Sequence, residues 1–136
     1  MPSSEKLIFA AQEARRRAYT PYSGYKVGAA LETDSGAIVT GCNVENLSYG
    51  ATICAERTAV TKMISDALGS RITALAVVSK DGVTPCGICL QVLSEFIKDG
   101  SVPVYRVDEA GTVQEMTFGD LLPHAFVSKE VGRTEP

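Results

Sequence analysis

Apolar residues recur at helical spacing in three segments of the chain. The first spans residues 4–18 and must end before Pro21, because proline cannot continue a helix. The second spans residues 55–68 and stops at Gly69, and the third begins after Pro85 and ends near Gly100. The apolar faces of the three predicted helices are Leu7, Ala11, Ala14 and Ala18; Ala59, Val60, Met63, Ile64, Ala67 and Leu68; and Cys89, Val92, Leu93, Phe96 and Ile97.

Five further segments are predicted to be β-strands. A turn cluster at residues 33–36 separates the first two, which indicates a hairpin. The third is an almost unbroken apolar run, typical of a strand covered on both faces. The predicted strands are residues 26–32, 37–42, 72–78, 102–107 and 112–116, and a short helical piece closes at residues 121–123.

The order of these elements is helix, hairpin, helix, strand, helix, strand, strand. Helices on both faces of one mixed sheet of about five strands make an α/β fold with three layers, α/β/α. The strand–helix–strand crossovers predict parallel neighbours in the second half of the sheet. The chain has 136 residues and shows no internal repeat or linker, so we expect one domain over residues 1–136, with a polar, loose tail from Ser128.

Composition and charge disfavour several classes of partner. The apolar content of 45% is ordinary for a globular protein, and the net charge of −3 argues against nucleic acid, whose phosphates require clustered Lys and Arg. No apolar stretch approaches the ~20 residues of a membrane span, and residues 1–6 lack the pattern of a signal peptide. We therefore expect a cytoplasmic protein, in which four cysteines point to metal binding or catalysis before disulfides.

Three cysteines and one glutamate indicate a metal site. Cys54-Ala55-Glu56-Arg57 opens the second predicted helix, and Pro85-Cys86-Gly87-Ile88-Cys89 opens the third. Three thiolates would hold Zn²⁺ and leave a fourth position for water, which is the arrangement of catalytic zinc. Glu56 would stand beside that position as a general acid and base.

Two other interpretations of the cysteines compete with this one. A thiol redox pair at Cys86 and Cys89 would need neither a third thiol nor a glutamate. A closed structural site would add Cys42, but Cys42 and Cys54 are too widely spaced to form the close pair that such sites use. We leave Cys42 out of the metal set, because a cysteine within a strand behaves as a small apolar residue.

The charge of the thiolates requires compensation, because three of them on Zn²⁺ sum to −1. Cys54 and Cys86 are predicted at helix N-termini, where each helix dipole supplies about half a positive charge. Arg57 adds a full charge if its side chain folds back onto the sulfurs, so we expect it to contact a metal ligand. Cys54 and Glu56 both face the metal only if Cys54 lies at or before the first helical residue.

Two other stretches have both a structural and a functional interpretation. The loop of residues 19–25 holds three tyrosines, which either pack over a helix end or line a pocket for a flat ligand. Asn43 and Glu45 follow the second predicted strand. They are either turn formers or the donor and acceptor that grip a sugar hydroxyl.

With these residues in place, the chain resembles the small, homotetrameric, zinc-dependent cytidine deaminases that use three cysteine ligands. The resemblance rests first on Cys54-Ala55-Glu56 and on Pro85-Cys86-Gly87 followed by Cys89. It covers about residues 7–127, with the family motifs in the same order and spacing. The further matching stretches are residues 22–30, 41–46 and 121–126.

The resemblance implies hydrolytic deamination of cytidine and deoxycytidine to uridine and deoxyuridine, in pyrimidine salvage. Zinc, at one ion per chain, would provide the hydroxide that attacks C4, and Glu56 would shuttle protons to N3 and to the departing ammonia. The implied site residues are Cys54, Cys86 and Cys89 as zinc ligands; Asn43 and Glu45 on the ribose hydroxyls with Val44 between them; the backbone of Ala55 on the base edge; Tyr25 against base or sugar; and Tyr49 and Phe126 reaching into a neighbour's pocket in the tetramer.

Two positions depart from the family pattern. Leu90 stands where the family usually has Arg, which either leaves Arg57 as the only formal cation serving the sulfurs or only alters packing. Tyr25 stands where the family usually has Phe, and its hydroxyl is expected to affect the choice between ribose and deoxyribose or among cytosine analogues. The lone histidine, His124, lies outside the motifs and is expected at the surface or an interface.

Other functions fit part of the pattern. A related deaminase would act on another cytosine nucleoside-like compound, such as an antibiotic. A non-catalytic, zinc-folded binding module would keep the cysteines and have no need of Glu56. Deamination of polynucleotides would require a basic, aromatic groove, and a nucleotide substrate would require a phosphate-binding nest near Asn43. The sequence shows neither, so we expect a nucleoside as the partner, with no nucleic acid and no membrane.

Overall fold

A computed structural model describes residues 3–126 of the chain, and the tail predicted from Ser128 lies outside them. The helices are α1 (Ser3–Arg15), α2 (Ala55–Ser65), α3 (Gly87–Ser94) and α4 (Phe118–Leu121). The strands are β1 (Gly28–Thr33), β2 (Ile38–Cys42), β3 (Ile72–Val78), β4 (Pro103–Val107) and β5 (Val113–Thr117). Among the described helices, none combines the length and the apolar character that crossing a membrane requires.

The five strands form one mixed sheet in the order β2-β1-β3-β4-β5. The hairpin partners β1 and β2 are antiparallel, and β1 also pairs antiparallel with β3. Strands β3 and β4 are parallel, and α3 lies on the crossover between them. Strand β5 returns antiparallel to β4. The predicted mixed sheet of about five strands, with its parallel pair in the second half, is therefore confirmed.

Helices cover both faces of the sheet, as the apolar patterns predict. One face packs against α1, and the opposite face packs against α2 and α3. The buried core on the α1 face consists of Leu7, Ala11, Ala30, Ala74, Ala76, Val78 and Val107. The larger core on the other face includes Leu31, Val39, Ala59, Val60, Met63, Leu75, Val77, Leu90, Leu93 and Val104. These two cores make the α/β/α arrangement of three layers.

Two glycines bring helix backbone directly onto strand backbone. A β-carbon added to Gly28 would lie 2.1 Å from the carbonyl oxygen of Ala11 in α1. A β-carbon added to Gly41 would lie 2.4 Å from the carbonyl oxygen of Ala55 in α2. Only glycine allows these approaches, because any side chain would overlap the helix. The first turn of α2 is thereby seated against the end of β2.

The second helix ends earlier than its apolar pattern predicts. It stops at Ser65 and not at Leu68, because Ala67 adopts a left-handed φ of 54° and the Leu68 N–H donates to the Met63 carbonyl at 2.9 Å. This is a helix-ending motif that usually uses glycine. The predicted inward positions Ile64 and Ala67 are consequently exposed.

The third helix is also shorter than expected. It ends at Ser94, and the chain then pairs beside Ile72: the Ile72 N–H donates to the Phe96 carbonyl, and the Lys98 N–H donates to the Ile72 carbonyl. Phe96 and Ile97 therefore reach the core from this extended bridge and not from a helical face.

Candidate active site

The thiols of Cys54, Cys86 and Cys89 converge at the N-terminal ends of α2 and α3. The Sγ atoms of Cys54 and Cys86 lie 3.9 Å apart, and those of Cys86 and Cys89 lie 3.5 Å apart. All three Sγ atoms are within 4.8 Å of one another. Cys42, at the end of β2, is not part of this cluster.

The donor set fits zinc. Three sulfurs on a tetrahedral zinc with Zn–S bonds of about 2.3 Å would be separated by about 3.8 Å, close to the separations in this cluster. Thiolates are soft ligands that select zinc over hard cations such as Mg²⁺ and Ca²⁺. A tetrahedral ion held by these three sulfurs keeps one position for a further ligand.

Backbone geometry accounts for the convergence of the sulfurs. Cys54 is the N-cap of α2 and Cys86 is the N-cap of α3, both with extended φ and ψ. Cys89 lies one turn further along α3 and is fully buried. Positive helix ends therefore face the thiols, which favours the thiolate form that binds a metal.

A hydrogen bond between two of the thiols separates their pKa values. The Cys89 thiol donates a hydrogen bond to the Cys54 sulfur, which lowers the pKa of Cys54 to about 5 and raises the pKa of Cys89. The Arg57 guanidinium contributes a smaller part of the lowered pKa of Cys54. Metal binding deprotonates coordinating thiols outright.

The Arg57 side chain folds back toward the sulfurs. Its Nη2 lies 4.0 Å from the Sγ of Cys54 and donates to the Thr52 carbonyl at 3.0 Å. Its Nε is buried and has no hydrogen-bond partner among the described residues. Proximity to the thiols raises the pKa of this guanidinium despite its burial, so the positive charge stays next to the cluster.

Glu56 is a buried carboxyl at the head of α2. Only 4% of its surface is exposed, and burial raises its pKa to about 7. The negative charge of the Cys54 sulfur adds to this increase, while its own backbone N–H and Arg57 oppose it. Because Cys54 is the N-cap, it lies before the first helical residue of α2, and this allows the side chains of Cys54 and Glu56 to face the same point.

A short ladder joins the predicted sugar-binding stretch to the metal ligands. The Val44 N–H donates to the Ile53 carbonyl at 2.9 Å, and the Ile53 N–H donates back to Val44 at 3.0 Å. Tyr19 pairs on the other side of Val44. Because Ile53 directly precedes Cys54, residues 43–45 lie beside the start of α2.

The side chains of Asn43 and Glu45 both hold the loop of residues 22–27. The Asn43 amide accepts from the Val27 N–H and donates to the Tyr25 carbonyl, each at 2.9 Å. The Glu45 carboxylate accepts the N–H groups of Tyr22 and Ser23 at 3.0 and 3.1 Å and also the Ser23 hydroxyl. The turn-forming and ligand-binding interpretations are thus compatible, since these side chains order a loop that faces a cleft.

The cleft has a volume of about 280 Å³ and is lined by Tyr22, Ser23, Glu45, Tyr49 and Thr52. The Tyr22 and Tyr49 rings meet edge to face, with centroids 5.8 Å apart. Tyr49 is 73% exposed. The cleft therefore has one carboxylate and aromatic walls that are open to solvent.

The remaining predicted positions divide between cleft, core and surface. Ala55 is fully buried under Gly41, and Phe126 is 77% exposed, with its carbonyl accepting from Gln91 at 2.9 Å. Leu90, one of the two departures from the family pattern, packs into the larger core. His124 is exposed.

Two polar contacts were not anticipated from the sequence. The Tyr25 hydroxyl donates to Asp81 at 3.2 Å, and the Ser23 hydroxyl donates to Glu45. Asp81 lies in the loop between β3 and Cys86, so Tyr25 connects the 22–27 loop to the loop that carries a metal ligand. A serine inside a tyrosine-rich turn was the available signal for Ser23, whereas nothing in the sequence marked Asp81.

Comparison with known proteins agrees with this geometry. The family model described as "Cytidine and deoxycytidylate deaminase zinc-binding region" matches residues 1–105. The chain is 51% identical over 128 residues to a cytidine deaminase of Sporosarcina psychrophila, covering 93% of this chain and 92% of that one. It is 45% identical over 130 residues to a cytidine deaminase of Halalkalibacterium halodurans, covering 93% of this chain and 96% of that one.

Solved structures give the same result. A cytidine deaminase from Burkholderia pseudomallei superposes with a TM-score of 0.82 at 44% identity, covering 93% of this chain and all of that one. The family match spans the three thiols, Glu56 and residues 43–45. The chain thus belongs to the cytidine and deoxycytidylate deaminase family, whose zinc-binding region it contains.

Proposed function

We propose that this protein catalyses the hydrolytic deamination of cytidine and deoxycytidine to uridine and deoxyuridine. The observation that carries the proposal is the convergence of three thiols next to Glu56, a buried carboxyl on the same helix end. Membership of the deaminase family supports the choice of reaction. A non-catalytic zinc module would have no use for a buried carboxyl at this point, because burying it without a role costs stability.

The residues divide the chemistry between them. Zinc, when bound, supplies the Lewis acid that activates water for attack at C4 of the base. Cys54, Cys86 and Cys89 would hold the ion, and Arg57 would offset part of the thiolate charge. The Glu56 carboxyl takes a proton from the attacking water and delivers it to N3. It then takes the proton of the new C4 hydroxyl and passes it to the exocyclic amine, which leaves as ammonia while C4 becomes a carbonyl.

Substrate binding is assigned to residues 43–45, the segment beside the cleft. Asn43 and Glu45 would hold the ribose hydroxyls, with Val44 between them, and the backbone of Ala55 would contact the base edge. The pairing of Val44 with Ile53 supports this assignment, because it sets a sugar-binding segment directly beside Cys54. Tyr25, in the 22–27 loop, would pack against base or sugar. The Asn43 side chain holds this part of the loop by donating a hydrogen bond to the Tyr25 carbonyl.

We further propose a homotetramer in which neighbouring subunits complete each pocket. Tyr49 and Phe126 would reach a neighbour, and their exposures of 73% and 77% support a role at an interface. Leu47 is 79% exposed on the same stretch as Tyr49. Activity that falls on dilution in step with subunit dissociation, followed by light scattering, supports shared pockets, and activity that is independent of concentration in a dissociated protein contradicts them.

Two properties of the whole protein belong to the proposal. We place it in the cytoplasm, in pyrimidine salvage, because a reducing compartment keeps the three thiols free for a metal. We also assign residues 1–136 to one domain, which the single sheet through β1 to β5 supports.

The test is a deamination assay with controlled zinc content. The purified protein is stripped of metal by a chelator, reloaded with Zn²⁺, and mixed with cytidine or deoxycytidine while ammonia and the ultraviolet spectrum are followed. We expect turnover that disappears on stripping and returns on reloading. A folded, zinc-loaded protein that turns over neither nucleoside but deaminates another cytosine nucleoside would support the related deaminase instead.

A further inference from the structure

Three hydrogen bonds from two consecutive residues hold the Glu45 carboxylate. Its Oε1 accepts the N–H groups of Tyr22 and Ser23, and its Oε2 accepts the Ser23 hydroxyl. The donors come from a loop 22 and 23 residues earlier in the chain, so this carboxylate is not positioned by its own segment alone. A carboxylate gripped at both oxygens has one orientation relative to the cleft.

The Ser23 hydroxyl is itself held in place. Its Oγ accepts the Tyr25 N–H at 3.0 Å, so its proton points to Glu45 and not back into the loop. Asn43 fixes the next part of the loop through the Tyr25 carbonyl and the Val27 N–H. Serine is thus the member of this network that joins the loop to the acidic side chain.

Among the described residues that line the cleft, none is a cation that could assist this carboxylate. Besides Glu45, the residues lining the cleft are Tyr22, Ser23, Tyr49 and Thr52, and none of these carries a positive charge. The pKa of Glu45 is nevertheless lowered, and the Ser23 hydroxyl is the largest cause, ahead of the two backbone donors. Hydrogen bonds to the charged form, and not an ion pair, keep it ionised.

We propose that Ser23 is a positioning residue for nucleoside binding, orienting the Glu45 carboxylate toward the sugar through its hydroxyl. The inference rests on the proposed function, in which Glu45 accepts a hydrogen bond from a sugar hydroxyl. Ser23 does not act on the base, because its partners are Glu45 and the loop and not the thiol cluster. Its loss therefore weakens substrate binding and leaves the chemical step intact.

The first experiment compares steady-state kinetics of the zinc-loaded wild type, Ser23→Ala and Ser23→Thr on cytidine. We expect Ser23→Ala to raise KM by about 5- to 30-fold with kcat within about twofold, because one charge-assisted hydrogen bond is lost. Ser23→Thr retains the hydroxyl at an exposed position and should restore most of the affinity. Ser65→Ala, at the exposed end of α2, is the matched serine control and should behave as wild type.

The pH profile gives a readout that a purely structural role would not produce. Removing the Ser23 hydroxyl raises the pKa of Glu45. As the pH is lowered, KM for cytidine should therefore begin to increase at a higher pH in Ser23→Ala than in the wild type. Tyr22 and Tyr49 are the other titratable side chains that line the cleft with Glu45.

Glu45→Gln separates failure of this inference from failure of the function. A raised KM in Glu45→Gln and in Ser23→Ala, with less than additive effects in the double variant, supports the proposal. A raised KM in Glu45→Gln with an unchanged KM in Ser23→Ala overturns the role of Ser23 alone. An unchanged KM in Glu45→Gln overturns both the sugar assignment and the inference. Loss of kcat and zinc together in both Ser23 variants would show a folding role and would also overturn it.

Discussion

The Sγ atoms of Cys54 and Cys86 lie 3.9 Å apart although 32 positions separate the two residues in the chain. Both residues are N-caps, one on α2 and one on α3, and both helices pack on the same face of the sheet. The fold therefore brings two positive helix ends together and places a thiol at each. This relationship makes the metal site a direct product of the α/β/α arrangement.

Removing one thiol should abolish zinc binding, whereas removing the cysteine outside the cluster should not. We expect Cys86→Ala to reduce zinc from about one ion per chain to below about a tenth, because two thiolates hold the ion far less tightly than three. Cys42→Ala is the matched control and should keep its zinc. Metal content of the purified proteins, measured by mass spectrometry, decides the matter. Equal loss in both variants would place Cys42 among the ligands.

The close approach of α2 to β2 predicts that Gly41 tolerates no side chain. We expect Gly41→Ala to lower the free energy of unfolding by about 1–3 kcal/mol or more, because a β-carbon 2.4 Å from the Ala55 carbonyl must displace the helix. Gly50→Ala is the control, since its β-carbon would contact nothing within 4 Å. Urea unfolding measures both. A Gly41→Ala protein as stable as Gly50→Ala would contradict the packing described for α2.

The Tyr25 hydroxyl is expected to stabilise the loop that carries Cys86. Its hydrogen bond to Asp81 spans 56 residues, so Tyr25→Phe should lower the free energy of unfolding by about 0.5–1.5 kcal/mol. Asp81→Ala should cost a similar amount, and the double variant should cost less than the sum of the two. Denaturant titration of the four proteins measures the coupling. Strictly additive effects would mean that the two side chains do not interact in solution.

Stability should fall in acid through Asp34. Its carboxylate accepts the Ser70 N–H at 3.0 Å, the Ser70 hydroxyl at 2.8 Å and the Arg71 N–H at 3.3 Å, which lowers its pKa. A lowered pKa stabilises the fold above the unfolded value of about 3.9, and the stabilisation is lost as pH falls through the folded pKa.

The variant Asp34→Asn isolates this contribution. At neutral pH the wild type should unfold at a higher temperature than Asp34→Asn, and the difference should shrink as pH drops below about 4. Asp66→Asn is the control, because Asp66 is an exposed aspartate just past the end of α2. Scanning calorimetry across the pH range measures this. A difference that stays constant in acid would assign the effect to something other than ionisation of Asp34.

Much of the fold follows from the apolar pattern because that pattern records burial. Strand β3 spans Ile72–Val78, as its unbroken apolar run predicts, since helices cover it on both faces. The end of α2 could not be predicted from the apolar pattern, because Ala67 takes a left-handed conformation that is usually adopted by glycine. A backbone bridge to Ile72 likewise overrides the helical spacing of Phe96 and Ile97.

The metal site was predictable from the sequence and the polar loop contacts were not. Cys54 and Cys86 stand where a helix begins in the sequence pattern, so their capping positions could be inferred before the structure was known. The Tyr25–Asp81 and Ser23–Glu45 contacts join loops that are far apart in the chain, and loop side chains follow no periodic pattern. The roles of Tyr25, Ser23 and Glu45 in binding remain predictions, as do those of Asn43, Val44, Ala55, Tyr49 and Phe126.

The most direct test is the activity and zinc content of Glu56→Gln, measured together on protein that retains its melting temperature. The amide keeps the size of the side chain but carries no transferable proton. We predict about one zinc per chain and deamination of cytidine reduced by at least ~10²–10⁴, the range typical of lost acid–base catalysis. Wild-type deamination in a zinc-loaded Glu56→Gln protein would contradict the account, because the buried carboxyl beside the thiols would then have no part in the reaction.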